Sequence, residues 1–573
     1  MRVCRLLILI WLCLIFRGIF YCALFPLWEG YDEPYHFAFL QHVIAHGQLP
    51  VRTDPVSREI QESFHLLPLS WEQRLQALAP PLYTEDTYWR LPEAGRRALQ
   101  QQLRSIPPSW ASEPGTSPFI YEAQQPPIYY WLFSVPLRLA WGWSLPARVM
   151  IIRMLSVVLA SLFIPIAYAA AKRFLANDGL ALGIVALITC MPELMIDLCR
   201  VGNESVALVT YTSLTLLLLI ACEQPRGLRL LPITGVILGI GLLTKAYFIA
   251  ALPALVVVGI FSLWRWPRER RRITLYVGAG IMPALLISFP WYWHNHLLTG
   301  SWSGEGSDIA AAHLNSTQLI AAIPHVNWIG GVISVLVSHI WFGGWSFLKL
   351  PKAIYVLFGC GMMLVALGLM KVAATCWGER PHSNSPRLGR LVVVGGLYLL
   401  FWIATLYHVF VTYVATGISA STGWYMYAVV VAEMLLVCCG LLAVIPVRWR
   451  DWIVPSLTAA FTAIDFYGTY SLLLPYHTGM IAHVPGTDIV HPATLRQLLA
   501  FNIPLLLHRL ATNKPAALGP ATFVTLFALY CLATLATVAI SFLAMRTANS
   551  LNRGASALAG LPLSRQSPVP NDH

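Results

Sequence analysis

The chain has 573 residues, 57% of them hydrophobic and only 11% charged, with a mean hydropathy of +0.64. That composition excludes a soluble globular domain, and apolar runs that are continuous rather than alternating exclude a β-barrel. What remains is an all-α polytopic membrane protein, whose net charge of +12 sits in short basic turns and reports topology rather than nucleic-acid binding.

The first apolar run, Cys4 to Leu27, has no small-residue cleavage site and is long enough to cross about 30 Å of hydrocarbon, so it reads as a retained anchor. Further spans are expected near 149–171, 179–197, 204–222, 228–245, 247–264, 273–291, 353–372, 391–412, 424–445, 452–474 and 519–545. With the first span near 5–27 they make twelve. This threading puts every basic cluster in the cytoplasm, among them RWPRERRR at 265–272, the ERPHSNSPRLGR linker and RWRD at 448–451. Two apolar segments rich in tryptophan or tyrosine, 126–143 and 326–348, are expected to lie at the interface or re-enter. The alternative for 126–143 is one more span.

The organisation that follows is a first helix (1–27), an outer loop with interfacial helices (28–148), a membrane module (149–291) and a second outer segment (292–352). C-terminal helices (353–545) interrupted by an outer loop at 475–518 come next, then a cytoplasmic tail (546–573). The loop from 28 to 125 holds twelve of the 26 acidic residues and mixes proline turns with the amphipathic stretch EAGRRALQQQLRSI, so it is expected to fold as a cap. The eleven cysteines form no CxxC pair, and no structural zinc is expected.

The unusual polar groups then fall on the outer side. Asp32 and Glu33 follow the first span, and one of them could act as general base toward an acceptor, the other binding substrate or holding the loop; the alternative is that they are solvated after the membrane exit or cap a helix starting there. His36 lies one turn further. Glu122 and Gln125 precede a Pro-Pro pair that should hold them rigid. Asn203 and Glu204 could cap the fourth span, and Arg200 beside them is either a second cation for an anion or an interfacial anchor. Lys245, in an apolar stretch, is either a snorkelling helix end or a phosphate partner.

The quoted pieces DEPYHFAFLQHVIAHGQLP, YEAQQPPIYYW, IIRMLSVVLAS, RVGNES, GLLTKA and PWYWHN occur in an order that resembles the polyprenyl-phosphate-sugar-dependent membrane glycosyltransferases of the GT-C superfamily. Within it the chain is similar to the group of protein O-mannosyltransferases and lipid A aminoarabinose transferases. The resemblance covers the N-terminal half, with a loose echo in TGWYMY. It implies a GT-C type bundle of about 12 to 14 transmembrane helices with an extracytoplasmic cap. It further implies Asp32 as catalytic base with Glu33 in support. It also implies Glu122 as a substrate-site residue, Arg153 as the arginine of the second span and Lys245 by the lipid phosphate; with the residues singled out above, the candidate substrate site is His36, Glu122, Gln125, Arg153, Arg200, Asn203, Glu204, Lys245, Trp424 and Tyr425. Three positions depart from the pattern: Gln125 where relatives carry lysine or histidine, Glu204 where they carry aspartate, and Trp424 where a Gly-Arg-Tyr motif has its arginine.

The expectation is a glycosyltransferase moving a sugar, with inversion, from a polyprenyl phosphate to a glycan, lipid or protein acceptor outside a bacterial inner membrane. No DxD pair occurs in the first outer loop, so neither a metal nor any other cofactor is expected, and the partners are the lipid-linked sugar and the bilayer. The rivals are a flippase for lipid-linked sugars and a non-catalytic membrane scaffold.

Overall fold

The structure is a computed structural model and describes residues 2–73, 78, 80–378 and 387–559. Most of the linker 379–390 and the tail from 560 onward lie outside the described residues. Ten helices among those described are long and apolar enough to cross a membrane: Arg2–Leu24, Leu145–Leu175, Glu204–Glu223, Pro225–Leu242, Ala246–Arg265, Pro267–Thr299, Lys352–Thr375, Arg387–Thr416, Gly423–Val444 and Pro520–Arg546. Each overlaps one expected span.

The remaining two expected spans take other forms. Segment 179–197 is broken: Asp178–Thr189, started by the Asn177 side chain accepting from Leu180 N at 2.9 Å, bends by 65° into Pro192–Leu198. The bend falls where Pro192 cannot donate a backbone N–H. Segment 452–474 is helical, Arg450–Gly468 running through a π turn at Thr469–Leu473 into Leu474–His477, but it is not among the apolar spans. Its inner face carries Thr458, Thr462, Asp465 and Thr469. Of the two segments set aside, 126–143 yields only Ile128–Leu139, about 18 Å of helix and too short to span. Trp328–Ile340 pairs with Ser316–His325 across a 73° bend, as a broken span or re-entrant loop.

Asp465 explains how the first and last thirds of the chain are joined. Its carboxylate accepts from Arg17 of the first helix at 2.9 Å, from Tyr530 of the last at 2.8 Å, and from Tyr21, with both ionic side chains fully buried. Intramembrane charges are tolerated only when paired in this way. Elsewhere small residues let backbones touch: a Cβ on Gly235 would stand 1.9 Å from Gly280 O, and one on Gly368 the same distance from Gly440 O.

The cap is built from short elements. Pro55–Ser57 pairs antiparallel with Pro114–Phe119, and Pro68–Leu69 parallel with Tyr83–Thr84. The amphipathic stretch forms the helix Glu93–Ser105. The helix Glu33–His46 starts with proline in its first turn and stops at Gly47, whose left-handed backbone returns its N–H to Val43 O. Asp32 precedes this helix, yet its side chain makes no capping hydrogen bond, and Asn203 likewise caps nothing. The helix-cap alternative for both residues therefore falls.

Candidate active site

The first helix ends at Leu24, and the chain turns through Trp28 (φ 68°) and Asp32 (φ 56°) before the next helix begins. Both residues occupy the left-handed region, where aspartate is tolerated better than most side chains, and such backbone is a hallmark of functional turns. The twist divides the two adjacent carboxylates. Asp32 stays half-buried at the surface of the site, while Glu33 is driven inward and fully buried.

Glu33 is spoken for. Arg153 donates Nε to its Oε1 at 2.6 Å and Nη2 to Oε2, and the backbone N–H groups of Val201 (3.0 Å) and Trp28 (3.2 Å) donate to it as well. The rest of the Arg153 guanidinium donates to the carbonyls of Phe25 (2.9 Å) and Pro26 (2.7 Å). Of the two roles open to the second carboxylate, Glu33 thus takes the loop-holding one, and Arg153 is bound to it and to backbone carbonyls. Together they pin the turn that carries Asp32. His36 has a partner as well: its Nδ1 lies 2.7 Å from the Tyr130 hydroxyl, and burial, with Arg200 and Lys245 adding to it, pushes the ring well below its usual range and keeps it neutral.

Asp32 accepts a hydrogen bond from Tyr121, a residue the sequence reading passed over although it adjoins Glu122 in the quoted motif. Burial raises the Asp32 carboxyl above its ordinary range; the Tyr121 hydroxyl and the charges of Arg200 and Lys245 draw it back. Glu122 is buried with Oε2 unpartnered, and burial, then the charges of Asp32 and Glu305, raise it. Glu305 belongs to the second outer segment, outside every motif, and its carboxylate lies 3.8 Å from His408.

The cations come from two helix junctions. Lys245 occupies the extended break between Leu231–Leu242 and the 3-10 turn Ala246–Ala251, so it is neither mid-span nor snorkelling. Its ammonium contacts Glu204 and sits 4.9 Å from the Tyr425 ring centre and 5.3 Å from that of Tyr247. Tyr247 donates to the other oxygen of Glu204 at 2.8 Å. Arg200 binds Asp197 Oδ1 through Nε (3.1 Å) and Nη2 (2.9 Å), and Tyr31 O through Nη1 at 2.6 Å.

A polar chain joins these junctions to the cap. Asn203 Nδ2 donates to Gln125 Oε1 and to Thr244 O, each at 3.1 Å, and Ile128 N donates to Leu243 O at 3.0 Å. Gln125 and Asn203 thus hold the Lys245 junction against the Pro-Pro turn. Trp424 stacks on Tyr31 at 3.8 Å and 9°. An apolar cavity of about 1140 Å³ approaches from that side, lined among others by Trp424, Trp345, Thr422 and His408. Of the twelve residues singled out, the structure gathers Asp32, Glu122, Arg200, Glu204, Lys245 and Tyr425 electrostatically, with Gln125, Asn203 and Trp424 as their supports. Glu33 and Arg153 are engaged with each other, and His36 with Tyr130.

Comparison with known proteins gives three likenesses. Residues 124–293 match the family described as dolichyl-phosphate-mannose-protein mannosyltransferase, a stretch that includes Gln125, Arg153, Arg200, Asn203, Glu204 and Lys245. Undecaprenyl phosphate-alpha-4-amino-4-deoxy-L-arabinose arabinosyl transferase 1 of Pseudomonas fluorescens is 25% identical over 236 residues, 38% of this chain and 41% of that protein. The match thus spans less than half of that relative's length. The crystal structure of ArnT from Cupriavidus metallidurans bound to undecaprenyl phosphate superposes with a TM-score of 0.40 at 14% identity, covering 98% of this chain and 81% of that one. In sequence, the chain is similar to proteins whose names describe sugar transfer with a lipid phosphate.

Proposed function

We propose that this chain transfers a sugar from a polyprenyl-phosphate carrier to a hydroxyl or amine acceptor on the outer face of a bacterial inner membrane. The observation that carries the reading is one half-buried carboxylate, Asp32, beside the charges of Arg200 and Lys245 on a turn locked by the Arg153–Glu33 pair. The sequence likenesses support the donor class.

In this reading the acceptor oxygen or nitrogen attacks the anomeric carbon as the carbon–oxygen bond to the phosphate breaks. The acceptor's proton passes to Asp32, whose Oδ1 already accepts from Tyr121. Attack opposite the leaving group inverts the anomeric centre. Polyprenyl phosphate departs toward Lys245 and Arg200, which stabilise its charge without a metal or a general acid. Glu204 and Asp197 balance these cations until the phosphate arrives. The apolar cavity beside Trp424 suits a lipid chain.

The test is incubation of purified protein with a panel of pentosyl and hexosyl polyprenyl phosphates, reading released polyprenyl phosphate by mass spectrometry. Transfer that disappears in Asp32→Asn supports the assignment. Undiminished transfer in that variant removes Asp32 as base, and lipid movement between leaflets without transfer favours a flippase.

A further inference from the structure

The outer loop at 475–518 does not stay polar. It carries two short helices, Leu495–Leu499 and Ile503–Leu510, and leaves Leu495, Leu499 and Ile503 exposed by 71%, 79% and 63%. Large apolar side chains this bare and this close together are costly in water. The same stretch carries the exposed Arg496 and His508, the mixture of apolar and basic residues found in segments that lie in a membrane interface.

The second of these helices packs beside the last spanning helix, Pro520–Arg546, and an apolar groove of about 480 Å³ lies between them. Leu498, Phe501 and Leu507 line it from the loop, Val524 and Phe527 from the spanning helix, and Tyr470 from the π turn. Because the last helix crosses the membrane, the depth of the groove can be read along it. Its 27 residues are about 40 Å long against about 30 Å of hydrocarbon, which leaves about 5 Å over at each end. Val524 then lies near the hydrocarbon boundary and Phe527 about 5 Å below it. Tyr470 reaches deeper, its hydroxyl 3.2 Å from Sγ of Cys531, a residue about 11 Å below the boundary. The groove thus runs from the boundary toward the middle of the bilayer, which is the course of an acyl chain.

Continuity selects the occupant. Val524 is exposed together with Leu532 and Leu535 further down the same helix, so the groove opens on a wall that already faces lipid. A loop that shares a groove with Phe527 must itself reach below the boundary, to the depth of about 5–10 Å at which interfacial helices bury their apolar face.

We propose that residues 495–510 lie in the outer leaflet rather than above it, and that the groove they form with the last spanning helix seats one acyl chain of a phospholipid. This depends on the membrane fold and not on sugar transfer. The seated loop is tied to the rest of the outer surface just beyond the groove. Arg509 Nη1 donates to Thr478 O at 2.5 Å, and Asn513 Nδ2 donates to the Tyr88 hydroxyl of the cap at 3.2 Å. Lys514 Nζ donates to Phe25 O, the carbonyl that Arg153 also uses, at the exit of the first helix. The lipid-held loop therefore sets the height of the cap and of the Asp32 turn above the bilayer.

The test is photocrosslinking of the full chain in nanodiscs of palmitoyl-oleoyl phosphatidylethanolamine and phosphatidylglycerol. p-Benzoylphenylalanine is placed at Phe501 inside the groove, at Leu499 on the bare face, or at the exposed Gln101 of the cap helix as a control. After irradiation, intact and tandem mass spectrometry should find one phospholipid added at Phe501, bonded through its acyl chain, one added at Leu499, and none at Gln101. Absence of lipid adducts at both loop positions overturns the proposal. So does a Phe501 crosslink to a second copy of the chain or to another segment of the same chain in place of lipid. A second variant separates the groove from the depth of the loop: Leu507→Trp fills the groove and should abolish the Phe501 adduct while leaving that at Leu499. A Phe501 adduct undiminished by Leu507→Trp removes the acyl-chain seat.

Discussion

Replacing Glu33 by glutamine separates a structural carboxylate from a catalytic one. The Arg153–Glu33 pair is buried, with side-chain exposures of 2% and 0%, so solvent screening does not soften its loss. Removing one partner of a buried pair costs about 3–5 kcal/mol. Glutamine still offers one oxygen to Val201 N or Trp28 N, while Arg153 keeps its bonds to Phe25 O and Pro26 O. The expected loss is therefore about 3 kcal/mol, toward the lower end of that range. Asp32→Asn should behave oppositely. Its carboxyl is raised by burial, so the ionised form costs stability that is absent below the unfolded-state pKa and appears as pH rises through the folded one. Removing that charge should leave the unfolding midpoint at neutral pH unchanged or higher while abolishing transfer. The assay is denaturant unfolding of both variants in detergent, paired with the mass-spectrometric transfer measurement. A Glu33→Gln protein within about 1 kcal/mol of the unmodified one, or an Asp32→Asn protein that loses as much as Glu33→Gln, would refute the division of roles.

Other outcomes follow from the same geometry. Because Asp32 must be ionised to accept a proton and its carboxyl is raised, the acid limb of kcat/KM should lie above the ordinary aspartate range, and activity should fall as pH drops through it; a limb at or below that range would contradict the burial argument. Lys245→Met should lower kcat/KM for the lipid-phosphate donor by roughly 10- to 100-fold, the worth of a hydrogen bond to a charged group, measured with donor as the varied substrate. Arg17→Met or Asp465→Asn alone should cost about 3–5 kcal/mol in unfolding free energy, and the double variant less than the sum, since the second change no longer strands a charge. Exhaustive chelation with EDTA should leave transfer unchanged, because Lys245 and Arg200 are assigned the leaving phosphate's charge; loss restored by a divalent ion would reassign it.

Much of the site was legible because its markers are chemical exceptions in an apolar chain. Lys245 stood out among leucines, and Asp32 and Glu33 at a membrane exit, as costly groups that need a reason. Composition alone could not say which of the adjacent carboxylates faces the site, since that depends on a left-handed backbone at Asp32 and on a guanidinium 120 residues later in the chain. Tyr121 and Glu305 were missed for different reasons. The tyrosine sat inside a quoted motif among other aromatics, whereas the glutamate lay in a segment with no motif. The expected span at 452–474 contains Asp465, whose partner on the first helix only appears in three dimensions.

The sequence by itself determined that the chain is a helical membrane protein, roughly where its helices run, and that its unusual charges gather near helix ends. These properties follow from local hydropathy and from the price of an unpaired charge in hydrocarbon, which every stretch of chain meets alone. Tertiary structure decided which charges neutralise one another and which stay available. Arg153 claims Glu33, Glu204 balances Lys245, and Asp32 is left half-buried without an ion-pair partner among the described residues. It did so because pairing depends on distances between residues far apart in the chain, set by how the helices and the cap pack.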